Sequence, residues 1–155
     1  MLQSDRTHLT NAAQTLAIAV LISSLAAGLV GAAYWWLVRP ERLPWVLIRA
    51  SQIVAGIQAV GALVLAIAGL HPDDDLYWLY AALPVAIGFF AEQIKLVSAQ
   101  SVLDARGLAD GAAVAELPAD RQQSVVTAIL RRELGVMVIA AFVVVFLALR
   151  ALGTL

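Results

Sequence analysis

Glu92 and Lys95 stand in the stretch FFAEQIKLVSAQ, Phe89 to Gln100, directly after a run from Leu76 to Ala91 that holds no charge. A carboxylate and an ammonium three positions apart share one side of a helix and can pair. Arg49 and Gln58 lie inside a second apolar run, Pro44 to Leu70, and Glu133 follows Arg131 and Arg132 at the edge of a third. In hydrocarbon a charge is expensive, and it is kept where it meets a countercharge, a ligand or an ion path. Arg49, Gln58, Glu92, Lys95 and Glu133 are therefore the candidate polar cluster or binding site.

Other chemistry finds little material. The chain has no cysteine, which excludes disulfides, thiolate metal sites and thiol nucleophiles. Its histidines, His8 and His71, both fall at the outer ends of apolar runs, so a bis-histidine haem within them is not available. The segment HPDDD, His71 to Asp75, reads as a solvated turn, because it lacks the ligand spacing of an EF-hand or a zinc motif. No glycine-rich phosphate loop or Ser-His-Asp set appears. A formal net charge of -1 and the absence of a basic, aromatic-interleaved run argue against nucleic acid. No catalytic residue, metal site or cofactor is expected, and the chain reads as non-enzymatic.

The elements that carry these residues follow from composition. Of 155 residues, 62% are hydrophobic and 14% charged. A soluble domain has roughly 45–50% apolar and about 25% charged residues. The excess predicts an all-α, polytopic integral membrane protein, a single four-transmembrane-helix bundle over 1–155. Spans are expected at about 12–38, 44–70, 76–96 and 134–152, each long enough for a hydrocarbon core of roughly 30 Å. A cytoplasmic helical connection is expected over about 97–133, made of an extension of the third helix ending at Gly107 and a separate helix starting at Pro118. Its apolar stripe, Val125, Val126, Ile129 and Leu130, suits packing on that extension. The first apolar run is longer than a signal-peptide core and is expected to be retained.

Arg39, Arg42, Arg106, Arg121, Arg131 and Arg132 fall in the connections after the first and third spans. Arginine-rich loops stay cytoplasmic, so both termini and HPDDD are expected outside. Nine arginines against one lysine, with Ala, Val, Leu and Gly abundant, match GC-rich bacterial composition and suggest a bacterial cytoplasmic (inner) membrane. Tyr34, Trp35, Trp36 and Trp45 would then form an inner aromatic belt, and Tyr77, Trp78 and Tyr80 an outer one.

Helical faces complete the reading. On the third helix, Leu79, Leu83, Ile87, Phe90, Ile94 and Val97 suit lipid, while Ala81, Val85, Gly88, Glu92, Lys95 and Ala99 suit protein. The second helix shows polar or small residues on two sides, Arg49, Gln52 and Gly56 against Ser51, Ala55, Gln58 and Ala62, which predicts a central place or an oligomer contact. Gly28, Gly31, Gly56 and Gly88 are the candidate helix-packing positions. The fourth span, almost without polar residues, is expected to be the most lipid-exposed.

Glu92 lies ~24 Å along its span and Arg49 ~7–8 Å in from the other side, which puts them at one depth. They are expected to meet, with Lys95 or Arg132 competing for Glu92. The expected function is a structural or accessory subunit of a membrane assembly, its partners the bilayer and other membrane subunits or itself. The alternative is a small oligomeric transporter or channel with an inner-leaflet polar site. The two differ in whether the charged side chains face a water-filled opening or each other.

Overall fold

The computed structural model describes residues 2–39, 41–69 and 75–155, with side chains from residue 7 onward. Among the described residues all regular structure is helical: α1 (Leu2–Leu37), α2 (Leu43–Ile67), α3 (Leu76–Asp104), a short α4 (Gly111–Ala115) and α5 (Ala119–Leu152). The four long helices contain 36, 25, 29 and 34 residues. At a rise of about 1.5 Å per residue even the shortest reaches ~38 Å. All four are long and apolar enough to cross a membrane. Leu70 and His71 to Asp74, including most of the HPDDD turn, lie outside the described residues, as does the side chain of Arg6.

Local chemistry sets the ends. Pro44 occupies the first turn of α2, where its missing N–H would have had no helical partner. Gly107 adopts φ +68 after α3, and Leu108 N–H donates to the Leu103 carbonyl at 3.0 Å, closing that helix. Asp110 caps α4 by accepting from Ala113 N–H at 3.0 Å. Gln122 Nε2 reaches back to the Ala115 and Leu117 carbonyls, both at 2.8 Å, and ties α4 to α5.

Two boundaries differ from expectation. The second helix stops at Ile67, ahead of Gly69 at φ +88. The stretch after Pro118 is not a separate helix, because one helix runs unbroken from Ala119 to Leu152. No proline interrupts it, and Gly135, the one glycine inside it, leaves room for the Trp35 indole, whose Nε1 a Cβ would meet at 3.0 Å. The early turns of α5 lie on the end of α3, where Arg106 donates to Ser124 Oγ at 3.2 Å. Of the expected stripe, Val125 is buried there, Ile129 and Leu130 are half-buried and Val126 is exposed.

The long helices form a ring in the order α1, α2, α3, α5, each packed on its two neighbours, and the diagonal pair α2 and α5 barely meets. Three core layers stack along the axis. Ala13, Ala17, Ala62, Leu65, Tyr77, Ala81 and Ala151 fill one end, Val20, Ala55, Val144 and Ala148 the middle, and Ala27, Ile48, Ala91, Leu134, Met137 and Val138 the other end. The first layer lies with the first half of α1, the last turns of α2 and α5 and the first turns of α3. The last lies with the arginine-rich α1–α2 turn and the α3–α5 connection.

Several faces are corrected by this ring. α2 is a corner rather than a centre, with a clean outward apolar stripe of Val46, Ile53, Ile57, Val60, Val64 and Ile67. α5 is the most buried long helix and not the most exposed, 39% of its apolar window against 17% for α3. Its small and β-branched residues pack closely on α1 and α3 at once. The inward face of α3 centres on Tyr77, Ala81, Pro84, Ala91 and Ser98, roughly 50° away from the expected face at about 100° per residue. Val85 therefore points outward, and Leu83 and Ile87 are half-buried. Tyr77 belongs to the core at 0% exposure and not to an aromatic belt.

Three of the expected packing glycines lie at helix contacts, but one does not. A Cβ on Gly31 would meet Val138 Cγ2 at 2.7 Å, one on Gly28 would meet the Phe142 ring at 3.2 Å, and one on Gly88 would rest on Gln52 at 3.7 Å. A Cβ on Gly56 would face open space, with nothing within 4 Å, whereas one on Gly61 would meet Leu16 Cδ1 at 2.5 Å, so Gly61 takes the role expected of Gly56. Gly31→Leu is expected to lower stability by about 1–3 kcal/mol through overpacking. Gly56→Leu should be neutral or gain up to about 1 kcal/mol of helix propensity. Thermal unfolding in detergent compares the two, and equal losses would contradict this packing.

Candidate functional site

The charged residues meet on the α2–α3 side, the thinnest of the four sides of the ring. Glu92, on α3, is the hub. Its Oε1 accepts from Arg49 Nη1 at 2.8 Å and from Gln52 Nε2 at 3.3 Å, and its Oε2 accepts from Lys95 Nζ at 2.9 Å. Arg49 Nη1 also donates to Gln52 Oε1 at 2.8 Å, one turn along α2. Gln52 thus fixes the arginine and the carboxylate together. Gly88, one turn before Glu92 on α3, faces the same Gln52 side chain, which a Cβ there would meet in ordinary contact at 3.7 Å.

Lys95 does not stretch toward the arginine-rich end. It bends back onto Glu92, and its ammonium lies 5.5 Å from the centre of the Trp45 ring, where the ring's negative face attracts it. Its side chain is 17% exposed, against 57% for Arg49 and 25% for Glu92. The cluster therefore grades from a sheltered Lys95 to an Arg49 at the outer edge of the seam.

The remaining expected members stand apart to different degrees. Glu133, half-buried on α5, lies within electrostatic range of Lys95 and Glu92 but makes no ion pair among the described residues. With it, two cations and two carboxylates balance at this level. Arg131 stacks over Trp35 at 5.4 Å, and Arg132 does not compete for Glu92. Gln58 is not part of the cluster. It is fully buried near mid-helix, and neither amide atom has a hydrogen-bond partner among the described residues. An unpartnered buried amide costs about 1–3 kcal/mol. Tyr77 Oη is likewise buried without a partner.

Two contributors were missed as site residues. Gln52 was assigned only to a face, although its three-residue spacing from Arg49 was the available signal. Trp45 was assigned to an interface belt, and nothing in sequence links it to Lys95. Pro84 also went unremarked. It cannot donate to the Tyr80 carbonyl, and it borders a central void of about 20 Å³ that Ser24, Ser51 and Gln52 also line. That volume holds about one water. The Ser51 hydroxyl donates to the Ile48 carbonyl at 2.8 Å, within its own helix.

With three donors on its two oxygens, Glu92 is committed to joining α2 to α3. The arrangement ties one helix to the other through a single carboxylate. No protein-family model matches the chain, and neither curated proteins nor solved structures include a significant match to it.

Because Glu92 serves two cations, its loss is expected to exceed that of either partner. Glu92→Gln should lower stability by about 1–2 kcal/mol, discounted from the 3–5 kcal/mol of a fully buried pair because Glu92 is partly exposed. Arg49→Gln should cost less than 1 kcal/mol, since Lys95 still neutralises Glu92. The double variant should lose less than the two singles added. Melting in detergent measures all three, and strict additivity would show that the residues act independently.

Proposed function

We propose that this chain is a non-enzymatic, multi-pass membrane protein that serves as a structural or accessory subunit of a larger assembly. The observation that carries this reading is the mutual saturation of Arg49, Gln52, Glu92 and Lys95, next to a central void that holds only about one water. A transport site would instead present such groups to a continuous opening. Broad apolar surfaces on α2, α3 and α5, with Ile53, Phe89 and Phe146 each more than 60% exposed, support a lipid or partner environment around the ring. In this reading the membrane is a bacterial inner membrane, and the arginine-rich end of the bundle faces the cytoplasm.

The absence of native cysteine allows a direct test. A cysteine at Asp75 is expected to react with an impermeant maleimide in intact cells, while one at Ala112 reacts only after lysis. Purification from the native host in mild detergent should recover the chain with a stoichiometric membrane partner or as an oligomer, and the pure chain should be silent in liposome flux assays. A chain that moves a solute in liposomes, with loss of flux in Glu92→Gln, would replace this reading by the oligomeric transporter or channel alternative.

A further inference from the structure

The arginine-rich end contains a second built feature, separate from the Glu92 clamp. Between the end of α1, the start of α2 and the flank of α5 lies a cavity of about 200 Å³, and a groove of about 750 Å³ shares its Trp35, Val38 and Arg131 walls. Arg39, Arg42 and Arg131 border the cavity, and none makes an ion pair among the described residues. Its one carboxylate, Glu41, sits against the Tyr34 hydroxyl. Three guanidiniums against one carboxylate leave the rim doubly positive. The rest of the wall is apolar and aromatic, with Trp35, Trp45 and Leu134.

Two further observations give this cavity direction. Arg131 is held over the Trp35 ring at 5.4 Å, so its guanidinium is positioned before any ligand arrives. Val38, on the cavity wall, has φ +52, a conformation that a β-branched residue adopts only under strain. That turn ends α1 and folds Arg39 back, with its N–H bonded to the Tyr34 carbonyl at 3.3 Å. The N-cap of α2, Arg42, makes no side-chain cap, so first-turn amides of α2 add their partial positive charge at the same place.

We propose that this cavity binds the phosphate of an anionic phospholipid, with the headgroup on Arg39, Arg42 and Arg131 and an acyl chain along the Trp35–Leu134 wall. Guanidinium forks match phosphate oxygens geometrically. Basic pockets between helices at the cytoplasmic level are the places where anionic headgroups bind. The aromatic wall selects an amphiphile over a free anion. This inference rests on the membrane reading above.

The test uses the purified full chain in non-ionic detergent, titrated with phosphatidylglycerol, phosphatidylcholine or inorganic phosphate, with retained ligand counted by native mass spectrometry. Phosphatidylglycerol should be held in preference to phosphatidylcholine, and phosphate alone should neither be retained nor displace it. Arg39→Gln, Arg42→Gln and Arg131→Gln should each weaken retention about five-fold, the equivalent of roughly 1 kcal/mol per basic side chain. Arg121→Gln, which lines a different groove, should change nothing. Circular dichroism confirms the fold of each variant, and the exposed single substitutions decide the matter if a combined variant unfolds. Equal retention of the two lipids, or a preference that survives all three substitutions, would overturn the proposal. Displacement by phosphate alone would assign the pocket to a soluble anion instead. A chain recovered in the aqueous fraction without detergent would defeat the membrane reading itself, whereas a detergent-dependent chain indifferent to headgroup charge defeats only this site.

Discussion

A charge within a long apolar helix has to be answered by the protein, and in this bundle the answer to Glu92 decides how the ring closes. The α1–α2, α1–α5 and α3–α5 sides are broad apolar contacts. The α2–α3 side is thinner: Ala62 and Leu65 share a core layer with Tyr77 and Ala81, and its polar link is the pair of bonds from Arg49 and Gln52 to Glu92. Ion pairs at exposed surfaces contribute about 0–1 kcal/mol. Glu92 is one-quarter exposed and Lys95 less, so their pairing sits between that limit and a fully buried bridge. Its greater effect is on register. A shared carboxylate and a glutamine fork, with Gly88 beneath, accept one axial and rotational setting of α2 on α3.

The other three sides use a different device, the removal of side-chain bulk. α1 turns Ala13, Ala17, Ser24, Ala27 and Gly31 inward, all essentially without exposure, and α5 answers with Val138, Ala141, Val144 and Ala148. Close approach of this kind is how apolar helices gain packing energy where burial from water contributes little. It explains why the 134–152 part of α5, whose one polar residue is Arg150, became a core element. Polarity is not needed to bury a helix, and small, branched side chains matched by small ones on two neighbours are sufficient.

Much of this was legible in sequence. The number of long apolar helices, the position of α3 and its glycine stop, and the common level of Arg49 and Glu92 were legible, because rise along a helix is linear and accumulates little error. Rotation about the axis was less legible. It depends on which neighbour wins, so the inward face of α3 was misjudged by roughly 50°, Gly56 was expected at a contact that Gly61 makes, and Tyr77 was expected at an interface. Gln58 shows the same limit. It was expected in the polar cluster, but whether a buried amide finds a partner depends on the facing side chains, and among the described residues none is a partner. The pocket at Val38 was not legible at all, since its strained turn depends on how α1 hands over to α2.

The central claim is that Glu92 holds the α2–α3 side of the ring closed. The most direct test is an inter-helix distance distribution by electron paramagnetic resonance, with spin labels on cysteines at Ile53 and Phe89, both on outward faces of the two helices. The account predicts one narrow distribution for the otherwise native chain. In Glu92→Gln it predicts a broadened distribution with a longer mean, while a label pair across α1 and α5 stays unchanged. A distribution across α2 and α3 that is equally narrow with and without the carboxylate would contradict it.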